Sequence, residues 1–389
     1  MREVRGAASA AQVGMEEVDP CAGKTGCAGQ PQGCVSSLVA NMGRFLPAGY
    51  RRLSLPGGGS LLLHRRSVTV TGMLLLAAVA IGCVTLTTGS YDIPMARIIE
   101  ILRGGQEGTD AYLVLNQRLP RVVAALLIGI CLAASGVIFQ TLSSNALGSP
   151  DLIGFTTGAT TGGLVVIIVM GRSTGNVLML GAFCGGLATA TAVLLVARAG
   201  AGTGERLVVA GIAIAAMLSS VNDYLVSRAD IETAEAARVW QHGSLNVITW
   251  RSVVPLALGA AVGIPLAMGA GRVLRYLELG DDVAIGVGLP LRRVQIGLAV
   301  LGVGLAAVAV ASGGPIGFVA LAAPQLARRL ARSPGAAMVP AMAMGAALLV
   351  CSDLIAQRAL SPFQIPVGLV TGAIGGLYLV AMLLRRRSA

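Results

Sequence analysis

The sequence predicts an all-α polytopic membrane protein of about ten transmembrane helices with an inverted repeat, preceded by a disordered N-terminal extension. Three observations lead there. Hydrophobic side chains make up 55% of the 389 residues and charged ones 12%, with a mean hydropathy of +0.78. A soluble domain carries about 25% charged residues, roughly twice that share. Aromatics are only 4%, too few for the girdles of a lipid-facing β-barrel. Glycine, at 53 residues, is tolerated in membrane helices and marks close helix contacts.

Taken in order, residues 1–66 are rich in Gly, Ala, Ser and Pro, carry Cys21, Cys27 and Cys34, and show no periodic apolar face. Such a segment buries too little apolar surface to offset chain entropy, so disorder is expected there. A start at Met42 is the alternative account of this leader. The first long apolar run follows His64-Arg65-Arg66, too deep in the chain for a cleaved signal peptide. It reads as a retained span with its basic flank in the cytoplasm.

A helix needs about 20 apolar residues to cross the hydrocarbon. Within residues 67–389 the candidate spans are 68–88, 121–142, 152–171, 176–197, 206–227, 252–271, 294–312, 316–330, 336–356 and 366–384. The eighth is short, and the third and ninth are interrupted by small or polar residues. Ten spans put both termini on one side. The positive-inside rule makes that side the cytoplasm, because it holds Arg272, Arg275, Arg292, Arg293, Arg328, Arg329, Arg332 and the tail Arg385-Arg386-Arg387. The net charge of +11 is thereby topology, and no nucleic-acid partner is needed to explain it.

Little catalytic chemistry is legible. Gly23-Lys24-Thr25 resembles the end of a phosphate loop, but Val18 stands where its first glycine belongs and no strand precedes it. Cys83, Cys131, Cys184 and Cys351 lie inside spans and read as small hydrophobes. His64 and His242 are far apart, so neither a metal nor a cofactor is expected. No nucleophile stands with a base. The spans are nearly free of the charges a proton relay needs; Asp223 and Asp353 fall near outer ends, where a snorkelling or hydrogen-bonded role suits them.

Two segments share a ladder of small residues. LIGFTTGATTGG (152–163) and PVGLVTGAIGGL (366–377) align Gly154, Gly158 and Gly162 with Gly368, Gly372 and Gly376, and Thr157 with Thr371. Spacing by four puts each row on one helix face. Close helix packing is one reading; a solute pathway flanked by small and hydroxyl side chains, Thr156, Thr160 and Thr161 included, is the other. A second echo sets Ile153-Gly154-Phe155 against Ile316-Gly317-Phe318, in spans that run in opposite directions, as an inverted repeat requires.

From Arg118-Leu119-Pro120-Arg121 onward the chain resembles a known family. RLPRVVAALLIGICLAASGVIFQTLSSNALGSPDLIGFTTGA (118–159) is similar to the opening signature of the iron-siderophore and vitamin B12 importer permeases of the ATP-binding-cassette (ABC) class. VWQHGSL (239–245), LELGDDVAIGVGLPLRR (277–293), GGPIGFVALAAPQLARRL (313–330) and SDLIAQRALSPFQIPVGLVTGAIG (352–375) follow in the family's order. The resemblance implies ten helices per subunit, with helices 2–5 and 7–10 as inverted repeats. It also implies a second permease subunit, two ATP-binding subunits on the inner face and a substrate-binding lipoprotein or periplasmic protein on the outer face. Nucleotide chemistry would then reside on another chain, and this one would not be an enzyme.

The resemblance further implies site residues. Arg118 and Arg121 match outer-face arginines that pair with glutamates of the binding protein; headgroup anchoring is the alternative. A third family arginine falls at Gln357, with Arg358 beside it. Glu278, Gly280, Asp281, Ala284, Gly288, Leu289 and Pro290 match the loop whose short helices couple to the ATPase; an ordinary charged loop is the alternative. Gln325 and Gln364 stand where many members carry His and Glu, which removes titratable character. Trp240 and Trp250 read as interfacial anchors. The expected cargo is a ferric siderophore, with cobalamin or haem as alternatives, and a secondary transporter working without ATP is the rival from another class.

Overall fold

The computed structural model describes the backbone of residues 50–54, 60–89, 91–105, 108–151, 154–173, 175–198, 204–332, 335, 337–360 and 363–386. Two strands pair, β1 (Tyr50–Ser54) and β2 (Ser60–His64). They bring order into the last part of a segment expected to have none. The sequence between them, Leu55-Pro56-Gly57-Gly58-Gly59, is turn-rich, and Leu53 and Leu61-Leu62-Leu63 suit strands. Residues 1–49 of the expected extension lie outside the described residues.

From Arg65 the chain is helical. The long helices are α1 (Arg65–Thr87), α3 (Thr109–Leu142), α4 (Phe155–Val169), α5 (Asn176–Arg198), α6 (Gly204–Arg228), α8 (Trp250–Gly269), α11 (Leu291–Gly313), α12 (Val319–Ala331), α13 (Met338–Arg358) and α14 (Val367–Arg386). Short helices stand between them: α2 (Met95–Leu102), α7 (Ile231–Gln241), α9 (Gly271–Glu278) and α10 (Asp281–Gly286). Each predicted span meets one long helix. Seven of the described helices are long and apolar enough to cross a membrane; α4 is shorter, as is the apolar stretch Val367–Ala381 of α14, and α12 has only 13 residues.

Helix α3 is the axis of the bundle. Of its most apolar stretch 78% is buried, against 17% for α1. Its inner surface is made of Ala124, Ala125, Gly129, Ala133, Ala134 and Gly136, all buried. A Cβ on Gly129 would overlap the carbonyl of Gly345 on α13, and one on Gly136 would overlap that of Ala320 on α12. Backbones meet there because no side chain intervenes. At Val114–Arg118 the helix widens into a π turn, in which the Leu119 N–H donates to the Val114 carbonyl. Pro120 follows, and its missing N–H removes the donor an α-helix would offer to Asn116.

Helix pairing repeats across the two halves. Helix α3 packs on α13 and α12, and α11 packs on α5 and α4; α4–α5 is matched by α12–α13, α5–α6 by α13–α14, and α4–α6 by α12–α14. Exchanging α3–α6 for α11–α14 leaves the pattern unchanged. The Ile-Gly-Phe echo is offset by one residue, however. The left-handed residue that opens α4 is Gly154, whereas Phe318 itself takes φ 67° to open α12. An L-residue in that region costs about 1–2 kcal/mol, and close packing of the Phe318 ring on Gly375 of α14 holds it there.

A paired test follows. Gly136→Ala overpacks the α3–α12 contact and is expected to lower unfolding stability in detergent by about 1–3 kcal/mol. Gly304→Ala, with nothing within 4 Å of its Cβ, is expected to leave it unchanged or raised.

Candidate functional site

At one end of the bundle, Arg121 lies inside the protein. Its Nε donates to Asp353 Oδ1 and Oδ2 at 3.1 and 3.0 Å, and its Nη2 to Oδ1 at 2.8 Å. Its Nη1 donates to Gln364 Oε1 at 3.0 Å. Gln357 Nε2 completes the carboxylate at 2.8 Å from Oδ2. The side chains of Arg121 and Asp353 are 11% and 1% exposed. An outer-face arginine free for a partner was expected here; the guanidinium is instead spent on tying α3 to α13 and to the start of α14. Gln357 and Gln364, two of the three departures from the family pattern, are members of this same network.

Arg118 is half-buried and also turned inward, donating to the carbonyls of Leu86, at 2.7 Å, and Tyr91. Arg358 differs. Its side chain is 50% exposed, and among the described residues its one ion-pair partner is Asp92, itself exposed, 3.6 Å away. Arg118 and Arg121 border a cavity of about 400 Å³ whose wall is rich in amides, with Asn116, Gln117, Asn246, Gln357 and Gln364 among its residues.

The opposite end holds α9 and α10. Positive φ at Gly280 and Gly288, 109° and 86°, lets the chain turn sharply on both sides of α10. Ala284 is fully buried and anchors this short helix, while its carbonyl accepts from the Leu289 N–H at 3.1 Å. Asp281 Oδ1 accepts from Gln295 Nε2 at 3.5 Å, and Pro290 caps α11. The apolar side chains Leu279, Val283, Ile285 and Val287 point outward and are 43–68% exposed. An ordinary charged loop would not present such a row to solvent. Exposed apolar clusters of this kind mark interaction surfaces.

Glu278 links this loop to the bundle. Its Oε1 lies 3.7 Å from Arg328 Nη1, and Arg328 Nη2 donates to Gln140 Oε1. Gln325 Nε2 donates to the same Gln140 oxygen at 2.9 Å and to the Ala146 carbonyl at 3.0 Å, and Gln140 Nε2 donates to the Leu321 carbonyl at 3.1 Å. Burial pushes the Glu278 carboxyl up from its ordinary range, against the pull of Arg328 and Arg275. Sequence singled out Glu278, and Gln325 as a departure from the family pattern, but did not connect them. Gln140, polar in an otherwise apolar helix, was the signal that went unused.

The glycine rows part company. A Cβ on Gly158 would overlap the Thr189 hydroxyl, one on Gly162 would overlap the Gly181 carbonyl, and one on Gly154 would come within 3.0 Å of the Gly211 carbonyl. That row is a packing seam against α5 and α6. The hydroxyls beside it bond within the chain, Thr156 to Asp151, Thr160 to the Thr156 carbonyl and Thr161 to that of Thr157. In the second row Gly368 abuts the His242 carbonyl and Thr371 is buried, but a Cβ on Gly372 would reach nothing closer than 3.9 Å, and Gly376 faces open space. Among the described residues no group of three His, Cys, Asp or Glu side chains is placed to hold a metal.

Apolar helices of membrane-crossing length, packed around one buried helix, make this a multi-pass membrane bundle. The profile of the FecCD transport family matches residues 74–385, and the chain belongs to that family. It is 39% identical over 322 residues to the ferric enterobactin transport system permease protein FepG of Escherichia coli (strain K12), covering 82% of this chain and 97% of that protein. The achromobactin transport system permease protein CbrC of Dickeya dadantii (strain 3937) is 31% identical over 84% of this chain and 94% of its own length. The hemin transport system permease protein HmuU of Yersinia pestis is 35% identical over 71% and 84%. The fold matches, with a TM-score of 0.73 and 24% identity, a chain of a transporter described as of the metal-chelate ABC type in an inward-facing conformation, over 82% of this chain and 99% of that one.

Removing one partner of the buried pair leaves an uncompensated charge. Asp353→Asn is expected to cost about 3–5 kcal/mol in denaturant unfolding of the detergent-solubilised chain, while Arg358→Ala stays within about 0.5 kcal/mol.

Proposed function

We propose that this chain is the permease subunit of an ABC importer that carries a ferric siderophore across the cytoplasmic membrane, with ATP hydrolysis on a separate subunit. The observation that carries the reading is the end-to-end similarity to a ferric enterobactin permease, 39% identity over 97% of that protein. A hemin permease covers less of the chain at lower identity, which favours a siderophore over haem.

All ten long helices cross in this reading, both termini are cytoplasmic, and α3–α6 and α11–α14 form the inverted repeat. Arg66 supports the orientation: its Nε donates to the Leu330 carbonyl at 3.0 Å, which sets the basic flank of α1 beside Arg328 and Glu278. That end is the inner one, by the positive-inside rule. The outward apolar row of α9 and α10 suits a groove on the ATP-binding subunit, with Glu278, Gly280, Asp281, Ala284, Gly288, Leu289 and Pro290 shaping the coupling loop. The Glu278–Arg328–Gln140 chain then passes its motion to α3 and α12. On the outer face Arg358 is the arginine available to a substrate-binding protein, and Arg118 and Arg121 position the helix ends around it. A second permease subunit completes the pathway. The open face of Gly372 and Gly376 on α14 suits its lining, whereas Gly154, Thr157, Gly158 and Gly162 hold the helices together.

Membrane vesicles with the chain and its ATP-binding partner are expected to show vanadate-sensitive uptake of a labelled ferric siderophore. Uptake driven by an ion gradient with no ATPase present would overturn the assignment. Proline cannot adopt the φ of Gly288 or supply the N–H that donates to the Ile285 carbonyl at 2.8 Å. Gly288→Pro is therefore expected to leave ATP hydrolysis running while transport falls about tenfold or more, read as the ratio of the two rates.

A further inference from the structure

Beside the Arg118–Arg121 cavity, the same end of the bundle holds a hollow that the transport reading does not use. Its upper part is a polar pocket of about 530 Å³, lined by Asn116, Asn176, Thr249, Trp250, Arg251 and Ser252 among others. At Asn176 and Arg251 it passes into a groove of about 760 Å³ between α5, α8 and α11. The groove walls are Leu180, Phe183, Val254, Pro255, Leu258 and Val308. Ser312, also on the wall, turns its hydroxyl back to the Val308 carbonyl at 2.9 Å, so the surface stays apolar. A Cβ on Gly259 would come within 2.8 Å of Val308, so α8 and α11 touch and close the floor. Leu180 and Leu258, 61% and 65% exposed, leave the groove open at its side.

We propose that this hollow binds one anionic phospholipid, with the phosphate on Arg251 and an acyl chain along the groove. Arg251 is exposed, and among the described residues its side chain takes part in no hydrogen bond or ion pair. It stands where polar pocket and apolar groove join, which is the plan of a lipid at the headgroup boundary. Trp250 fixes that level: its indole N–H donates to the Leu115 carbonyl at 2.7 Å, as interfacial tryptophans pair one wet edge with an apolar body. The groove volume lies within the ~300–1,000 Å³ typical of ligand clefts. Helices α5 and α8 also begin at this pocket, and their N-termini add partial positive charge toward the phosphate. Bulk lipid would fill the groove without regard to headgroup; the guanidinium makes the site selective. The inference needs only a membrane-embedded chain and stands apart from the identity of the cargo.

The test uses the full chain, purified in detergent, stripped of lipid and titrated with phosphatidylglycerol or phosphatidylcholine under native mass spectrometry. The wild type is expected to retain one phosphatidylglycerol per chain about fivefold more tightly than phosphatidylcholine, the effect of one basic residue near an anionic surface. Arg251→Gln abolishes the preference, and Leu258→Trp weakens both lipids by filling the groove. Unchanged thermal midpoints without lipid show that both variants fold. Equal retention of the two lipids by the wild type overturns the proposal, as does a preference that survives in Arg251→Gln. A disulfide-linked dimer formed through Leu258→Cys overturns it too, because a second copy would then occupy the groove.

Discussion

Where α3 meets α13, backbone touches backbone at Gly129 and Gly345, and Arg121 is forked onto Asp353 closer to the end of the bundle. Arg121 lies eight residues before Gly129, and Asp353 eight residues after Gly345. Equal steps in opposite directions, about 12 Å of rise each, mean that the two helices run antiparallel in fixed register. The glycines set how near the helices come and the ion pair sets how far one can slide on the other. Neither does this alone. A glycine crossing without the pair tolerates slippage, and a buried pair without close backbones leaves two charges poorly enclosed.

That register also bears on the short helices. An antiparallel α3 and α13 require an odd number of chain reversals between them. Helices α4, α5, α6, α8, α11 and α12 supply seven when each passes from one end to the other, even though α12 has only 13 residues. The missing length is made up by the segment before it, where Gly313, Gly314, Pro315 and Ile316 are buried. Irregular backbone at membrane depth is tolerated where protein covers it, and the α12 entry satisfies that condition. Phe318, held at positive φ against Gly375, is the hinge at which extended chain becomes helix.

The helices were legible because hydropathy is local: a run of apolar residues long enough to cross names itself. What the rows of glycine do was not legible. Gly158 and Gly376 sit in the same spaced pattern, yet one presses on Thr189 and the other faces open space. A glycine states that close approach is permitted; the neighbour that uses the permission is set by the tertiary fold. Arg121 shows the same limit for charge. Its place in the family signature marked it as important, but its partner lies 232 residues away, so sequence could not tell an arginine facing a partner protein from one locked inside. Asp353 was better served, since an acid in an apolar helix has few options besides a hydrogen-bonded one. The strand pair before α1 went unseen because two five-residue strands carry too little periodicity to stand out from a Gly- and Pro-rich leader.

The two ends of the bundle follow from this division between local and distant information. At one end Arg121 is matched by Asp353 and Arg118 by backbone carbonyls, while Arg251 and Arg358 stay exposed. The other keeps a row of apolar side chains in the open and, behind it, a polar chain that runs from Glu278 through half-buried Arg328 to buried Gln140. That chain ends on α3, the same helix whose far end carries Arg121. In the proposed importer a push on α9 and α10 would reach, through this chain, a helix that packs on α8, α11, α12 and α13.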